Sequence, residues 1–367
     1  MMKLRIMGMV FFVVSLVSCS SETDNETGTS SKHIINFDAR ITGKYDEKPM
    51  TGRASYQETD TFASGDQIGV LGYALPSGNW LGSEVPGLMY NSELTKIEKE
   101  TFRYNPMAVW PLMGKASFFA YYPYNEAVTQ GVITPSPVSH TGYPSVTVVL
   151  GKSSEPIDFM TAQKEMTDFA SSNSGAINFT FAHRLAKLYF QSKFICDEKD
   201  THLYINSLKI KNIYNKAVYT FMDAASGNGN WTDHGNESTV DAVTGATIQM
   251  NSSPHAVSES DEYKDILLPS KSDANARAYV LMLPQEYSNA ELEIGYMIKY
   301  IKSAGGCEYH VFGTKTLPMT VKWEMGQVYT YRFEFVFVDI LGIDLKVNVL
   351  NDDSEWVDKD VPTEMGK

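Results

Sequence analysis

The chain is built mainly from short segments in which apolar and polar residues alternate. Apolar side chains take every second position over residues 35–41, 177–181 and 329–337, and again near the C-terminus. This period of two is typical of a β-strand that turns one face to a core and the other to water. The longer period of amphipathic helices is nearly missing, and residues 94–99 are the only segment where we allow a short helix. The pattern predicts an all-β protein.

Turn-forming Gly, Pro and Asn residues separate these segments at intervals typical of sandwich folds. A chain of 367 residues is long enough for two domains, each with its own core. Four consecutive charged residues at 197–200 interrupt the apolar runs, and we place the domain boundary there. The expected organisation is two tandem β-sandwich domains with long loops, over residues 33–197 and 198–367.

Residues 118–124 hold five aromatic side chains, the densest aromatic run in the chain. Such a run fits either a strand covered on both faces or an exposed stacking platform for sugars or bases. The alternation of the neighbouring segments favours the covered strand. We expect Phe118 and Phe119 on opposite faces, one in the sandwich and one under a loop, with Pro123 ending the strand because it has no N–H.

The N-terminus carries a targeting signal. Lys3 and Arg5 precede an apolar stretch over residues 6–14, and a small residue stands directly before Cys19. This is the pattern of a lipoprotein signal peptide over residues 1–18, with lipidation of Cys19 at the mature N-terminus. The apolar stretch is shorter than the roughly 20 residues that span a bilayer. Residues 19–32 are polar and acidic, and we predict a flexible tether there.

Composition and motifs disfavour nucleic-acid binding and catalysis. The formal net charge is −13, which opposes binding to a phosphate backbone. The chain has no HExxH, GxSxG or phosphate-loop motif, and its three cysteines offer no zinc spacing. We therefore predict no catalytic residue, cofactor or metal. Cys196 and Cys307 could pair, but two free buried thiols are the commoner outcome. His183 is expected to be a buried core side chain.

Two tryptophans are candidate contacts for a ligand. Aromatic residues in strands usually belong to the core, whereas Trp80 and Trp231 stand in segments that resemble loops. An exposed indole can stack on a sugar. Trp80 and Trp231 are therefore the residues where we would look for glycan binding.

Several motifs, taken in order, resemble the fimbrillin family of Bacteroidetes surface lipoproteins, the Mfa-like and FimA-like pilus subunits. The match is spread over most of the chain. It rests on the lipidation cysteine Cys19 and on five further motifs: Phe62-x-x-Gly65-Asp66-x-Ile68-Gly69-Val70, Trp110-Pro111 with the aromatic run, Asp158-Phe159-Met160, Phe181-x-His183-x-Leu185-Ala186-Lys187-Leu188, and Trp323-x-x-Gly326-x-x-Tyr329-x-Tyr331.

The resemblance implies two transthyretin-like β-sandwiches and a structural role in a cell-surface fimbria of the type V kind. In that family the precursor reaches the outer membrane as a lipoprotein, and an arginine-specific protease removes the N-terminal segment. A strand from a neighbouring subunit then fills the opened groove. Carried over to this chain, Arg40 or Arg53 is the cleavage site, and the donor strand contains Ile343, Leu345, Val347 and Val349.

The alternative is a surface lipoprotein that keeps its lipid and does not polymerise. Such a protein would bind glycans or other host ligands at the cell surface. Both interpretations place the chain at the outer membrane through Cys19. They differ in the partner, which is another fimbrial subunit in the first and a receptor or glycan in the second.

Overall fold

The computed structural model describes residues 33–42, 61–97, 101–124, 131–150, 157–172, 175–197, 200–222, 229–235, 237–240, 263–268, 276–277, 279–302, 306–339 and 342–350. Strands make up the regular structure of these residues, with no helix among them, so the all-β prediction is confirmed. It follows that the described part of the chain contains no helix long and apolar enough to cross a bilayer.

The described residues form 22 strands. In chain order they are β1 Asn36–Ile41, β2 Gln67–Leu75, β3 Met89–Lys96, β4 Phe102–Arg103, β5 Lys115–Tyr122, β6 Ile133–Pro135, β7 Ser145–Val149, β8 Met160–Thr167, β9 Ala176–His183, β10 Ala186–Ile195, β11 Thr201–Tyr214, β12 Lys216–Thr220, β13 Asn230–Thr232, β14 Glu237–Val240, β15 Lys264–Asp265, β16 Leu267–Leu268, β17 Ala276–Arg277, β18 Tyr279–Met282, β19 Gln285–Lys302, β20 Cys307–Trp323, β21 Val328–Asp339 and β22 Gly342–Leu350.

A seven-stranded sheet dominates the first part of the chain, in the order β1-β9-β8-β5-β2-β3-β4. Its two ends approach each other, because Asp38 in β1 forms a bridge with Thr101 next to β4. Side chains from all seven strands meet in one apolar cluster on the concave face. The sheet thus wraps around its own core, and β1 is the strand that closes it.

The other face of this sheet packs against a four-stranded sheet in the order β13-β12-β7-β6. A second apolar cluster fills the space between the two sheets, with Tyr73 and Phe119 from one side and Val146 and Tyr219 from the other. The seven-stranded sheet is therefore buried on both faces. This explains why β2 and β5 are nearly continuous in apolar residues instead of alternating.

A second sandwich is formed by the later strands. Strands β15-β10-β21-β22 make one sheet, with β18 also paired to β10, and β14-β11-β19-β20 make the other. The cluster between them includes Phe190 and Phe333 from the first sheet and Leu208 and Ile294 from the second. Strands β16 and β17 form a separate pair.

Strand pairing crosses the position at which we place the domain boundary. Beyond it, β12 pairs with β7 of the first sandwich, and before it, β10 runs parallel to β21 of the second. His33–Lys367 form one unit by their contacts, separate from Met1–Lys32. The division into folding domains at residue 197 stays a prediction.

The structure tests the expectations for the segment 94–99, for His183 and for the two cysteines. Leu94 lies in β3, so the short helix allowed at residues 94–99 is wrong where the structure describes it. His183 is 8% exposed, as expected of a core side chain, and its Nδ1 lies 2.9 Å from Asp158 Oδ1. Cys196 and Cys307 are not joined in a disulfide, but neither is buried as expected: Cys196 is half-buried, and Cys307 is exposed because it begins β20 where that strand extends past the core.

The aromatic run is core, as the alternation predicts. Phe118 points into the cluster on the concave face and Phe119 into the cluster between the sheets, and both are fully buried. Phe119 packs in part against a strand end rather than only under a loop, since its ring centroid lies 5.2 Å from that of Phe221, directly after β12. Strand β5 ends at Tyr122, directly before Pro123.

Candidate strand-exchange site

Strand β1 contributes buried side chains to the core although it lies at the end of its sheet. Phe37 is fully buried, as is Ile35 directly before β1, and Ala39 is 4% exposed, whereas Asn36 and Arg40 face solvent. This confirms the predicted alternation. Burying an Ile or Phe side chain contributes about 1.5–3 kcal/mol, so β1 stabilises the core substantially.

One side of β1 pairs along its whole length with β9. The two strands run parallel, with Asn36 opposite Ala176 and Ile41 opposite Phe181. Thr42 closes the ladder at its far end, where its N–H donates to the Phe181 carbonyl at 2.7 Å. Parallel pairing of this kind suits a strand with one face in the core.

The other side of β1 is held at a few points by residues 101–110. The Ile35 N–H donates to the Ala108 carbonyl at 3.1 Å, and the Tyr104 hydroxyl donates to the Ile35 carbonyl at 2.7 Å. Isolated bridges join Ile34 to Val109 and Asp38 to Thr101. Residues 101–110 and β9 therefore form two walls of a groove, and β1 lies in it.

The floor of the groove is aromatic. The Phe37 ring stacks on Phe179 at 5.8 Å between centroids, and it meets Tyr104 and Phe118 edge to face at 5.4 and 5.6 Å. Such aromatic pairs contribute about 0.5–1.5 kcal/mol beyond their burial. Taking β1 out of the groove would expose these rings to water.

The groove has little charge. Burial raises the pKa of the Tyr104 hydroxyl, against a smaller lowering by the backbone at Ala108, which keeps the phenol protonated and able to donate. Arg40 lies on the solvent side of β1, and its Nε donates to Thr180 Oγ1 on β9 at 3.3 Å. Recognition in the groove thus depends on main-chain hydrogen bonds and apolar side chains, as in β-strand addition.

The predicted donor strand is β22. It pairs antiparallel with β21, with Val347 opposite Phe333, and it is the last strand in the order of its sheet. Ile343 is 2% exposed. The alternation of Ile343, Leu345 and Val347 along β22 has the same spacing as that of Ile35, Phe37 and Ala39 along β1.

The remaining predicted site residues lie apart from the groove. Cys19 and Arg53 lie outside the described residues. Trp231 is 8% exposed, and its indole N–H donates to the Arg184 carbonyl at 2.9 Å, so this ring belongs to the core and offers no open face to a sugar. Trp80 is half-buried and stacks on Tyr143 at 4.6 Å between ring centroids.

Tyr104 and the wall that contains it were missed by the sequence analysis. Tyr104 stands 69 positions from its partner Ile35, and no local pattern marks a hydroxyl that will meet a distant carbonyl. The turn residues that follow it, Asn105 and Pro106, signal only that the chain changes direction.

Comparison with known families decides what kind of protein carries this groove. A family model described as fimbrillin-like matches residues 52–349, most of the chain. The chain belongs to the fimbrillin-like family. This confirms the resemblance drawn from the motifs. The family is a structural one of fimbrial and cell-adhesion proteins, which implies assembly with other fimbrial subunits and suggests a location at the cell surface.

A solved structure shares this fold. A fimbrial protein of Bacteroides vulgatus is 21% identical with a TM-score of 0.55, covering 86% of this fimbrillin-like chain and 98% of its own. Candidate cell adhesion proteins of Bacteroides uniformis and Bacteroides ovatus are 16% and 14% identical, with TM-scores of 0.43 and 0.47. They cover 92% and 90% of this chain and 100% and 99% of their own. No curated protein matches the chain.

Proposed function

We propose that this chain is a fimbrial subunit that polymerises when β1 leaves its groove and a strand of a neighbouring subunit replaces it. One observation carries the proposal. Phe37 of β1 is fully buried in the core, yet the second side of β1 meets residues 101–110 through isolated bridges rather than a continuous ladder. An empty groove would therefore be costly, and a strand with matching alternation would fill it.

The covalent link between β1 and the rest of the chain keeps the groove filled in the precursor. A tethered strand rebinds at an effective concentration in the millimolar range for a short flexible linker, which a separate chain cannot match. Cutting the link between β1 and β2 removes this advantage. Strand β1 can then dissociate and be replaced.

Of the two candidate cleavage sites, the position of Arg40 argues for Arg53. Arg40 lies inside β1, paired opposite Thr180, and cleavage there requires the strand to leave the sheet first. Proteolytic nicking favours exposed chain outside the ladders of a sheet. Cleavage after Arg53 would leave β1 whole and held only by non-covalent contacts.

Strand β22 is the proposed donor. Its apolar residues Ile343, Leu345, Val347 and Val349 repeat the spacing that β1 presents to the groove. In the isolated subunit β22 pairs with β21. Donation exchanges this pairing for pairing with β9 of the neighbour, so the main-chain hydrogen bonds are replaced rather than lost.

Before cleavage the subunit is proposed to be an outer-membrane lipoprotein held through Cys19. The signal pattern before Cys19 supports this step. Cleavage after Arg53 would release the folded subunit from its lipid. Processing would therefore couple release from the membrane to opening of the groove.

Treating the purified chain with an arginine-specific protease tests the proposal. The expected product is a ladder of oligomers that resists SDS, because the exchanged strands are buried between subunits. An Arg53→Lys chain should stay monomeric under the same protease. Complete cleavage of the wild-type chain with loss of β1 and no oligomer would overturn the proposal.

A further inference from the structure

One end of the first sandwich carries a cluster of exposed apolar side chains. Leu112 is 96% exposed, Met113 78%, Leu81 69%, Met107 61% and Val138 53%. We call these five residues the apolar crown. Single exposed apolar residues are ordinary on protein surfaces, but a contiguous group marks a surface that meets a membrane or another protein.

The loops of the crown lie together because of the strand order. They follow the end of β2, precede the start of β5 and join β6 to β7. The Gly142 N–H donates to the Glu84 carbonyl at 3.1 Å, and Gly114 packs so closely on Leu75 that a Cβ would overlap its carbonyl oxygen. Residues 105–114 and 136–144 contain no Asp, Glu, Lys or Arg. The third crown loop, which contains Leu81, carries one acidic residue, Glu84.

The described chain begins at the same end. His33 stacks on Phe169 with 3.8 Å between ring centroids, and its carbonyl accepts the Trp110 N–H at 2.9 Å. Trp110 stands between Met107 and Leu112 in sequence, so the described chain begins beside the loop that carries these crown residues. Only 14 residues separate this point from the lipidation site, from Cys19 to Lys32. A flexible segment of that length spans about 20 Å on average.

We propose that the apolar crown docks on the lipid surface to which the precursor is anchored. This inference rests on the proposed lipidation of Cys19. The short segment holds the crown near the bilayer, and the side chains of Leu112 and Met113 enter the interface between headgroups and acyl chains. The two uncharged loops, residues 105–114 and 136–144, avoid the repulsion that the acidic remainder of the chain meets at an anionic surface.

Docking would orient the subunit. Strand β1 runs from this end towards the second sandwich, since β9, its parallel partner, continues through Arg184 into β10. With the crown on the lipid, the Thr42 end of β1 points away from the membrane. The link between β1 and β2, which leaves from Thr42, would then start on the side open to a protease in solution.

A fluorophore at position 112 tests the docking. Leu112 is almost fully exposed, so Leu112→Cys should not disturb folding; Cys196 and Cys307 are replaced by serine so that only the new thiol reacts. The labelled full chain is placed in phosphatidylethanolamine and phosphatidylglycerol vesicles through its lipidated Cys19. We expect a blue shift of the emission and quenching by a lipid that carries a doxyl group. The matched control is Phe312→Cys, 69% exposed on β20, whose label should show neither effect.

A second way of holding the chain on the vesicles tests docking independently of lipidation. The same labelled chain, with six histidines in place of Cys19, is held on vesicles that contain a nickel-chelating lipid. If the wild-type chain incorporates no palmitate, the lipoprotein proposal is contradicted. The histidine-anchored chain then still tests whether the crown docks on lipid. Emission at position 112 equal to that at position 312 under this anchoring overturns docking. A blue shift that grows with protein density and resists the doxyl lipid also overturns it, in favour of contact between copies.

Discussion

The hydroxyl of Tyr104 donates a 2.7 Å hydrogen bond to the carbonyl of Ile35, joining the strand that closes the first sheet to the wall opposite β9. The bond is buried, and burial raises the pKa of the phenol, so it remains a donor throughout the neutral range. It adds to the isolated bridges that hold that side of β1. We therefore expect Tyr104 to influence how readily β1 leaves.

Replacing Tyr104 with Phe should speed the loss of β1 after cleavage. The variant keeps the ring against Phe37 and removes the hydrogen bond to the Ile35 carbonyl, worth about 0.5–1.5 kcal/mol. It also removes the bond that the hydroxyl accepts from the Ala108 N–H at 3.2 Å, on the wall that holds β1. The measurement is the rate at which the cleaved N-terminal peptide leaves the protein, followed by mass spectrometry. Tyr90→Phe is the matched control, since its hydroxyl donates to the Ser136 carbonyl away from β1. Equal rates for the two variants would contradict a holding role for Tyr104.

Replacing Phe37 with Ala should destabilise the uncut protein by about 3–5 kcal/mol. The ring is fully buried among Tyr104, Phe118 and Phe179, and its loss leaves a cavity. Urea unfolding of the full chain measures the effect. Asn36→Ala, on the exposed face of β1, should change stability by less than about 0.5 kcal/mol. A small loss for Phe37→Ala would mean that β1 contributes little to the core.

Arg40→Lys should leave processing unchanged, whereas Arg53→Lys should prevent it. Arg40 is paired within β1, which protects its peptide bond. Sequencing the N-terminus of the protease product distinguishes the two sites, with Ala54 expected and Ile41 the contrary result. If the Arg53→Lys chain is still cut and begins at Ile41, the ladder does not protect Arg40.

A synthetic peptide of residues 342–350 should block polymerisation when added during cleavage. It presents the alternation of β22 to the groove and competes with the donor strand of a neighbour. The same peptide with Val347→Asp should fail, because a carboxylate would have to enter an aromatic groove. Asn348→Asp, on the opposite face by alternation, is the control and should still block. If neither variant peptide blocks polymerisation, the added negative charge itself, and not its position in the groove, explains the loss of inhibition.

Stability should fall on the alkaline side of neutrality. Burial raises the pKa of Tyr329 from 10.0 to about 12, and it also raises the pKa of Tyr121 and Tyr331. Because the folded phenols ionise at higher pH than the unfolded ones, their contribution is complete below pH 10 and is lost as pH rises through the folded values. Urea midpoints between about pH 8 and about pH 11 should decline only in the upper part of that range. A constant midpoint would contradict the burial of these hydroxyls.

The sequence alone determined which residues of the alternating strands face the core. Ile35, Phe37 and Ala39 alternate with polar neighbours, and a period of two is a local property that every β-strand expresses in the same way. The inward position of His183 followed from the same parity. The family also followed from local motifs in a fixed order.

Only the tertiary structure decided which strands meet. Nothing local shows that Tyr104 lies against Ile35, that β12 crosses to pair with β7, or that Trp231, in a segment resembling a loop, is buried with its N–H on Arg184. Cys307 is exposed because β20 extends past the core, which depends on the length of the strands beside it. These features arise from pairing between distant segments, and alternation specifies the faces of a strand but not its neighbours.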